Sequence, residues 1–234
     1  ESPDKGYRRI RDDLDKYYHT PVNDKRTLRI CRGLGIQSVV KHAPHGCTRA
    51  ASSPRQLAEN VLDRQFYADR PNEKWLTDVT EFHYYTGTNM RKLYLSAILD
   101  LCDRRIVSFV IRDTNDAALV HRTLAQALEG NPGARPLLHS DRGSAYTTQI
   151  FHDKLAAAGI TQSMSRVGKC IDNGPMEGFW GILKRERYYG RRFTSREQLV
   201  KMIQEYITYY NFHRLQRGLG VRTPMEVHDR LLAA

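Results

Sequence analysis

The sequence has no run of about 18 apolar residues, which excludes a helical membrane span. It carries no signal peptide and does not begin with methionine, so Glu1 is expected to follow further residues in a longer protein. Cysteine is scarce. Cys31, Cys47, Cys102 and Cys170 are scattered without CxxC spacing, which argues against a disulfide framework and fits free thiols in a reducing, cytoplasmic compartment. His42, His45 and Cys47, with Cys31 upstream, are spaced too irregularly for a zinc knuckle, and a plain loop is the favoured reading there. Internal repeats and low-complexity segments are absent. Acids are under-represented: 26 Asp and Glu face 37 Lys and Arg, a net charge of +11. That excess favours a polyanionic partner, nucleic acid before others.

What is present is an ordinary globular composition over 234 residues, 40% hydrophobic and 27% charged, enough for one substantial domain and a smaller one. Residues 1–50 read as a separate helical module. Tyr7, Ile10, Leu14 and Tyr17 form a helical stripe over Tyr7–Tyr18; Pro21 to Asn23 interrupt it, and a second basic helix follows from Asp24 to Leu34. Eleven cations against six acids make this pair able to sit on DNA as helix-turn-helix pieces do, or equally to pack on the main domain as a solvated hairpin. Residues 41–56 read as a linker and Arg55–Tyr67 as a short helix, so that 51–70 form a linker helix and 71–234 the main domain with a C-terminal helical extension.

From Trp75 the pattern becomes strand-like. Trp75–Tyr85 is rich in aromatic and β-branched residues, and Leu93–Leu101 is almost unbroken in its apolar character, as in a strand buried on both faces. Ile106–Ile111 follows after a tight Asp103-Arg104-Arg105 turn, completing an antiparallel meander. Then come a helix over Asp116–Glu129, a strand over Pro136–Ser140, a helix over Thr148–Ala158 and a strand over Ile160–Met164. An irregular loop over Ser165–Gly174 leads to a helix opened by Pro175 and a last long helix over Ser195–Phe212. The order implies a mixed α/β sheet with helices on its faces.

Three acids sit where ligands are commonly carried. Asp78 lies inside the first strand, a costly place for a charge unless it is paired or binds a cation. Asp141 stands at the exit of the fourth strand, beside Gly143, and Glu177 lies in the first turn of the helix entered through Asn173-Gly174-Pro175. Taken singly, each has an ordinary explanation: an ion pair, a turn, a helix-dipole complement.

Taken together they lie in motifs that resemble a known family. Trp75-Leu76-Thr77-Asp78-Val79-Thr80, His139-Ser140-Asp141-Arg142-Gly143-Ser144-Ala145-Tyr146, and Ser165-Arg166-Val167-Gly168 with Asp172-Asn173 and Met176-Glu177-Gly178-Phe179-Trp180 follow in order, the last closed by Leu183-Lys184-Arg185-Glu186. Between Asp141 and Glu177 lie 35 residues. These motifs resemble the catalytic (OrfB-type) transposases of the insertion-sequence three family and, more distantly, retroviral integrases, the DD(35)E class. Gly6-Tyr7-Arg8-Arg9-Ile10, Tyr209-Tyr210-Asn211 and Thr223-Pro224-Met225-Glu226 extend the likeness over nearly the whole chain.

The resemblance implies a ribonuclease-H-like fold in which Asp78, Asp141 and Glu177 converge as catalytic and metal ligands. Three carboxylates are hard oxygen donors suited to magnesium or manganese, with two ions per site expected. The implied reaction nicks double-stranded DNA at the ends of an insertion sequence and joins the freed 3′-hydroxyl to a target, working as at least a dimer. A nuclease that only hydrolyses and an inactive DNA-binding derivative are the alternatives.

Lys184 follows Glu177 by seven residues, nearly two helical turns, which brings both to one face and places a cation where it can hold a phosphate. Around it Arg166, Lys169, Arg185, Arg191 and Arg192 outline a basic collar suited to a DNA backbone. Asp100, Asp103 and Asp172 read as structural, and His139 as a possible neighbour of the site.

Overall fold

The computed structural model describes residues 4–39, 57–167 and 170–233. Its centre is a five-stranded sheet in the order β3-β2-β1-β4-β5. β1 (Lys74–Thr86), β2 (Asn89–Asp100) and β3 (Ile106–Arg112) form the expected meander, with Trp75 opposite Asp100 and Thr86 opposite Asn89 in the first pair. β4 (Leu137–Ser140) runs parallel to β1, and β5 (Thr161–Met164) runs parallel to β4. The turn between β2 and β3 is built by its acids: Asp100 accepts from the Cys102 amide at 2.8 Å and Asp103 from the Arg105 amide at 2.9 Å, while Arg104 takes a left-handed φ of 66°.

Strand alternation sends neighbouring residues to opposite layers. Leu76 and Phe82 of β1 and Leu93, Leu95 and Leu99 of β2 join Phe179 and Leu183 of α5 (Gly174–Leu183) and Ile203 and Tyr206 of α6 (Arg196–Phe212). Trp75 and Ile98 join Val120 and Leu124 of α3 (Ala117–Gly130) and Phe151 and Leu155 of α4 (Gln149–Ala157) on the other face. β2 is therefore buried on both sides, as its apolar run predicts. Each such Leu or Ile contributes about 1.5–3 kcal/mol of burial.

Of the N-terminal pair, α1 spans Tyr7–Tyr18 and α2 spans Asp24–Gly33, the latter capped by Asn23, whose side chain accepts from the Arg26 amide. The pair docks on the C-terminal helices through ions. Arg9 donates to Glu186 at 2.7 Å and to the Tyr209 hydroxyl at 2.8 Å, and Arg217 donates to Asp12 at 2.8 Å and to Asp24 at 3.3 Å. Glu186 also accepts from Arg214 and from the Tyr206 hydroxyl.

Two expectations change. The linker helix over 51–70 is absent from its described part: residues 57–67 contain no helix. Tertiary bonds hold this segment in an irregular path along β5, where Leu62 is buried with its amide on Ser163 Oγ and the Met164 amide donates to the Glu59 carbonyl. Left-handed φ values at Asp63 and Arg64 are incompatible with a continuing helix. Conversely, the Thr223-Pro224-Met225-Glu226 stretch opens a helix, α7 (Pro224–Leu232), with a full capping box between Thr223 and Glu226. The loop before α5 contains a short 3-10 turn over Cys170–Asn173. His42, His45, Cys47 and the linker over 41–56 lie outside the described residues, and Cys31 is a buried free thiol. Among the described residues no helix is long and apolar enough to cross a membrane.

Candidate active site

Asp78 lies in mid-β1 opposite Ala97 of the neighbouring β2, half-buried. Thr77 beside it is buried, its hydroxyl donating to the Ala97 carbonyl at 3.1 Å, so the backbone around the acid is firmly held. The indole Nε1 of Trp180, one turn along α5 from Glu177, donates to Asp78 Oδ2 at 3.0 Å. Desolvation pushes the Asp78 carboxyl up to about 7; the like charge of Asp141 adds to this, the Val79 amide and Trp180 oppose it, and Glu177 adds further repulsion.

Asp141 follows β4 directly, and its Oδ1 accepts from the Gly143 amide at 2.9 Å. A Cβ on residue 143 would stand 3.0 Å from that oxygen and 3.4 Å from the Tyr146 ring, so glycine is what permits the tight turn. The residue as a whole is exposed, yet neighbouring protein displaces enough water from the carboxyl to raise its pKa, against the Gly143 amide, which lowers it. Glu177 is exposed in the first turn of α5, and partial desolvation raises its pKa too.

The three acids thus share one electrostatic neighbourhood, and among the described residues none of them forms an ion pair. They are loosely gathered: no three His, Cys, Asp or Glu side chains among the described residues are close enough to hold a metal ion.

Lys184 opens a π-helical turn, Lys184–Tyr188, that continues α5 without a break. Its ammonium stands 5.0 Å from the Phe82 ring centroid. Burial lowers its pKa, while the negative charges of Glu81 and Asp78 raise it. The π turn is a deviation that neither periodicity nor capping residues signal.

The collar divides. Arg166 is bound to buried Asp172 through Nε at 2.9 Å and Nη2 at 2.9 Å, and Arg64 joins it at 2.7 Å. Arg185 lies against the Gly181 backbone, where its Nη1 is 2.8 Å from any Cβ placed there. Arg191 is exposed. Arg192 is also exposed and stacks over the Tyr85 ring at 4.8 Å. Lys169 lies outside the described residues. Asp172, Asp100 and Asp103 are buried anchors; Asp100 accepts from the Trp75 indole and Asp103 from His228 Nδ1. His139 is buried with its ring nitrogens on Ser163 at 2.9 Å and Ser165 at 3.1 Å, so it ties β4 to β5.

Sequence reasoning missed three residues that shape the site. Trp180 docks α5 on the core, and its indole in addition holds Asp78. Tyr146 is buried within hydrogen-bonding reach of Thr77, at 3.4 Å, and its hydroxyl is held neutral by desolvation and by Asp78 and Asp141. Asn173 donates to the Thr77 carbonyl at 3.3 Å and so pins the start of α5 to β1; its Oδ1 is buried without a partner among the described residues. For Trp180 and Tyr146 the signal was their place inside the acid motifs.

Residues 68–170 and 158–224 match models of the integrase core domain, and residues 1–44 match an HTH-like domain. The chain is 40% identical over 211 residues to an uncharacterized transposase-like protein of Haemophilus influenzae, covering 90% of this chain and 95% of that protein. It is 38% identical over 226 residues to the putative transposase InsK of insertion element IS150 from Escherichia coli, covering 96% and 77%. It is 32% identical over 207 residues to the transposase InsF of IS3fB, also from Escherichia coli, covering 87% and 69%. Among solved structures it resembles the HTLV-2 integrase catalytic core domain in complex with magnesium, with a TM-score of 0.50 over 68% of this chain and 98% of that one. It also resembles a chain of the simian T-cell lymphotropic virus intasome, with a TM-score of 0.59 over 93% and 73%. Both are 19% identical and speak to the fold, which is ribonuclease-H-like.

Proposed function

This chain belongs to the transposases of the insertion-sequence three family, within the superfamily of integrase-core recombinases, and from that premise we propose that Asp78, Asp141 and Glu177 are its metal-holding catalytic triad. The observation that carries the reading is Asp78: a half-buried carboxylate inside a strand, without an ion pair among the described residues, within electrostatic reach of two further acids. Such an arrangement is unfavourable in itself and is relieved by a divalent cation.

The donor set fits that cation by chemistry: three carboxylates and no thiol or imidazole, the preference of magnesium, with manganese as a substitute. Asp78 is the member held in place, by Trp180. Asp141 and Glu177 are exposed and can adjust their side-chain torsions. Magnesium, expected as two ions, would be held by these three carboxylates and would supply the charge that activates an attacking oxygen and stabilises a leaving one.

The substrate proposed is double-stranded DNA at the ends of an insertion sequence. In the first step water attacks the phosphodiester and the bond to the 3′-oxygen breaks, leaving a 3′-hydroxyl and a 5′-phosphate. In the second, that 3′-hydroxyl attacks a target phosphodiester, the target strand's 3′-oxygen leaves, and one phosphodiester replaces another. The same three acids serve both, because attacker and leaving group change while the phosphorus chemistry does not. Lys184, beside Asp78, would hold a phosphate of the strand being cut; Arg166, Lys169, Arg185, Arg191 and Arg192 would track the flanking backbone. Two element ends must meet, so at least a dimer is proposed on DNA, with residues 1–50 as a helical DNA-binding module and 71–234 as the catalytic core.

The deciding experiment offers the protein a pre-cleaved end with a free 3′-hydroxyl, a circular target and magnesium. Joined product is expected, and it disappears in Asp78→Asn, Asp141→Asn and Glu177→Gln. Hydrolysis without joining would assign a nuclease instead, and joining by any of the three variants would remove that acid from the triad.

A further inference from the structure

A strongly basic surface outside the site belongs to α2. Its exposed face carries Lys25, Arg26, Arg29 and Arg32, spaced so that all four fall within about a third of the helix circumference. Thr27 and Cys31, the buried residues of α2, occupy the opposite face. Among the described residues none of the four cations is in an ion pair. The one acid of the helix, Asp24, is already taken by Arg217 and Arg11. Four cations with no acid among them span about 10 Å, a length over which duplex DNA presents about six phosphates.

The second observation is how this helix is mounted. Asp24 of α2 and Asp12 of α1 share Arg217, which follows α6. Arg9 of α1 reaches buried Glu186, and Glu186 sits in the π turn continuous with α5, the helix that carries Glu177. α1 is thus fastened to the helix bearing one candidate catalytic acid, and α2 is fastened both to α1 and to the segment after α6.

We propose that the outer face of α2 docks on the phosphate backbone of duplex DNA, and that Arg217 and the Arg9–Glu186 pair hold it in fixed register with the carboxylate on α5. The grip is one of positioning: it tells the chain where the duplex lies, independent of base sequence. The docking half rests on the proposed DNA-binding role of residues 1–50 and is independent of the catalytic assignment; the register half rests on Glu177 being catalytic.

The test measures binding in full-length Glu177→Gln protein without divalent ions, by anisotropy of two fluorescein-labelled duplexes of unrelated sequence and equal length, across a salt series. Replacing Lys25, Arg26, Arg29 and Arg32 together with Gln is expected to weaken both duplexes alike by at least about tenfold, and to shrink the slope of log K against log salt by about 3 to 4. An unchanged slope, a loss confined to one duplex, or single-stranded RNA held as tightly as the duplex would overturn the docking. In the otherwise native protein, Arg217→Gln is expected to keep duplex affinity within about twofold while the cut position scatters or cleavage falls. Arg217→Lys, which keeps the charge, should recover part of that loss. Unaltered cut position and yield in Arg217→Gln would overturn the register. Should Asp78→Asn still cleave, the triad fails while the α2 binding result stands.

Discussion

Two groups of acids in this molecule meet opposite fates. Glu186, Asp172 and Asp12 are nearly enclosed and are saturated by arginines: Arg9 and Arg214 on the first, Arg166 and Arg64 on the second, Arg217 on the third. Asp78, Asp141 and Glu177 form no ion pair among the described residues, and each has its pKa raised. The side-chain chemistry is the same, and the partner makes the difference. Paired acids hold elements together; unpaired acids within reach of one another carry an electrostatic cost, which a bound cation would offset.

The contrast can be broken most severely at Asp78. Asp78→Asn is expected to lower end cleavage by about a thousandfold or more, since one oxygen ligand is lost at the reacting centre. Measured without divalent ions above pH 4, its melting temperature should stay level or rise, because the native carboxylate is destabilised by desolvation and by its neighbours. A marked fall in melting temperature would mean that Asp78 is structural after all.

Glu186→Gln should do the reverse. With Arg9 and Arg214 left beside a neutral amide, chemical denaturation should show a loss of about 3 kcal/mol, and α1 should become accessible to protease. Stability within about 0.5 kcal/mol of the native protein would show that the pairing contributes little.

Asp172 extends the comparison to pH. The Arg166 hydrogen bonds hold its carboxyl well below the usual range, against the desolvation that would raise it, with Arg64 helping. A depressed native pKa means that the stabilisation is fully present above the unfolded value, about 4, and is lost as pH falls through the native value below it. Asp172→Asn should therefore be less stable at neutral pH, by about 2–4 kcal/mol, with the gap closing as pH drops below about 4. A gap that persists unchanged at low pH would assign the effect to packing.

The smallest effect is expected at Trp180. Trp180→Phe keeps a ring in the core and removes the donor to Asp78, so cleavage should fall by roughly tenfold for a stability loss of about 1 kcal/mol. The magnesium concentration needed for half-maximal cleavage should rise, which a packing defect alone would not produce.

Much of the fold was legible because burial leaves a period. The apolar run Leu93–Leu101 marks a strand enclosed on both faces, the stripe through Leu199, Met202, Ile203 and Tyr206 marks α6, and Thr223 with Glu226 carries the capping box that opens α7. The acids stood out because a charge inside a β-branched strand needs a reason. Residues 57–67 misled, since their helical composition is overruled by bonds to Ser163 and Met164, which lie about a hundred positions away. The bond from Trp180 to Asp78 was hidden for a related reason: a side chain's hydrogen-bond partner on another element has no local signature.

By itself, then, the sequence determined where the strands and most helices lie, the order of the acid motifs, and the family. The strands and helices follow from periodicity and capping, which are properties of short stretches of chain, and the family follows from the likeness of its motifs. Only the tertiary structure decided which acids are paired with arginines and which are left without an ion pair among the described residues. It also decided that Arg166 binds Asp172, and that the helix carrying Glu177 is fastened through Glu186 to the N-terminal pair. Coulomb and desolvation energies depend on distances through space, and those distances exist only once the chain has folded.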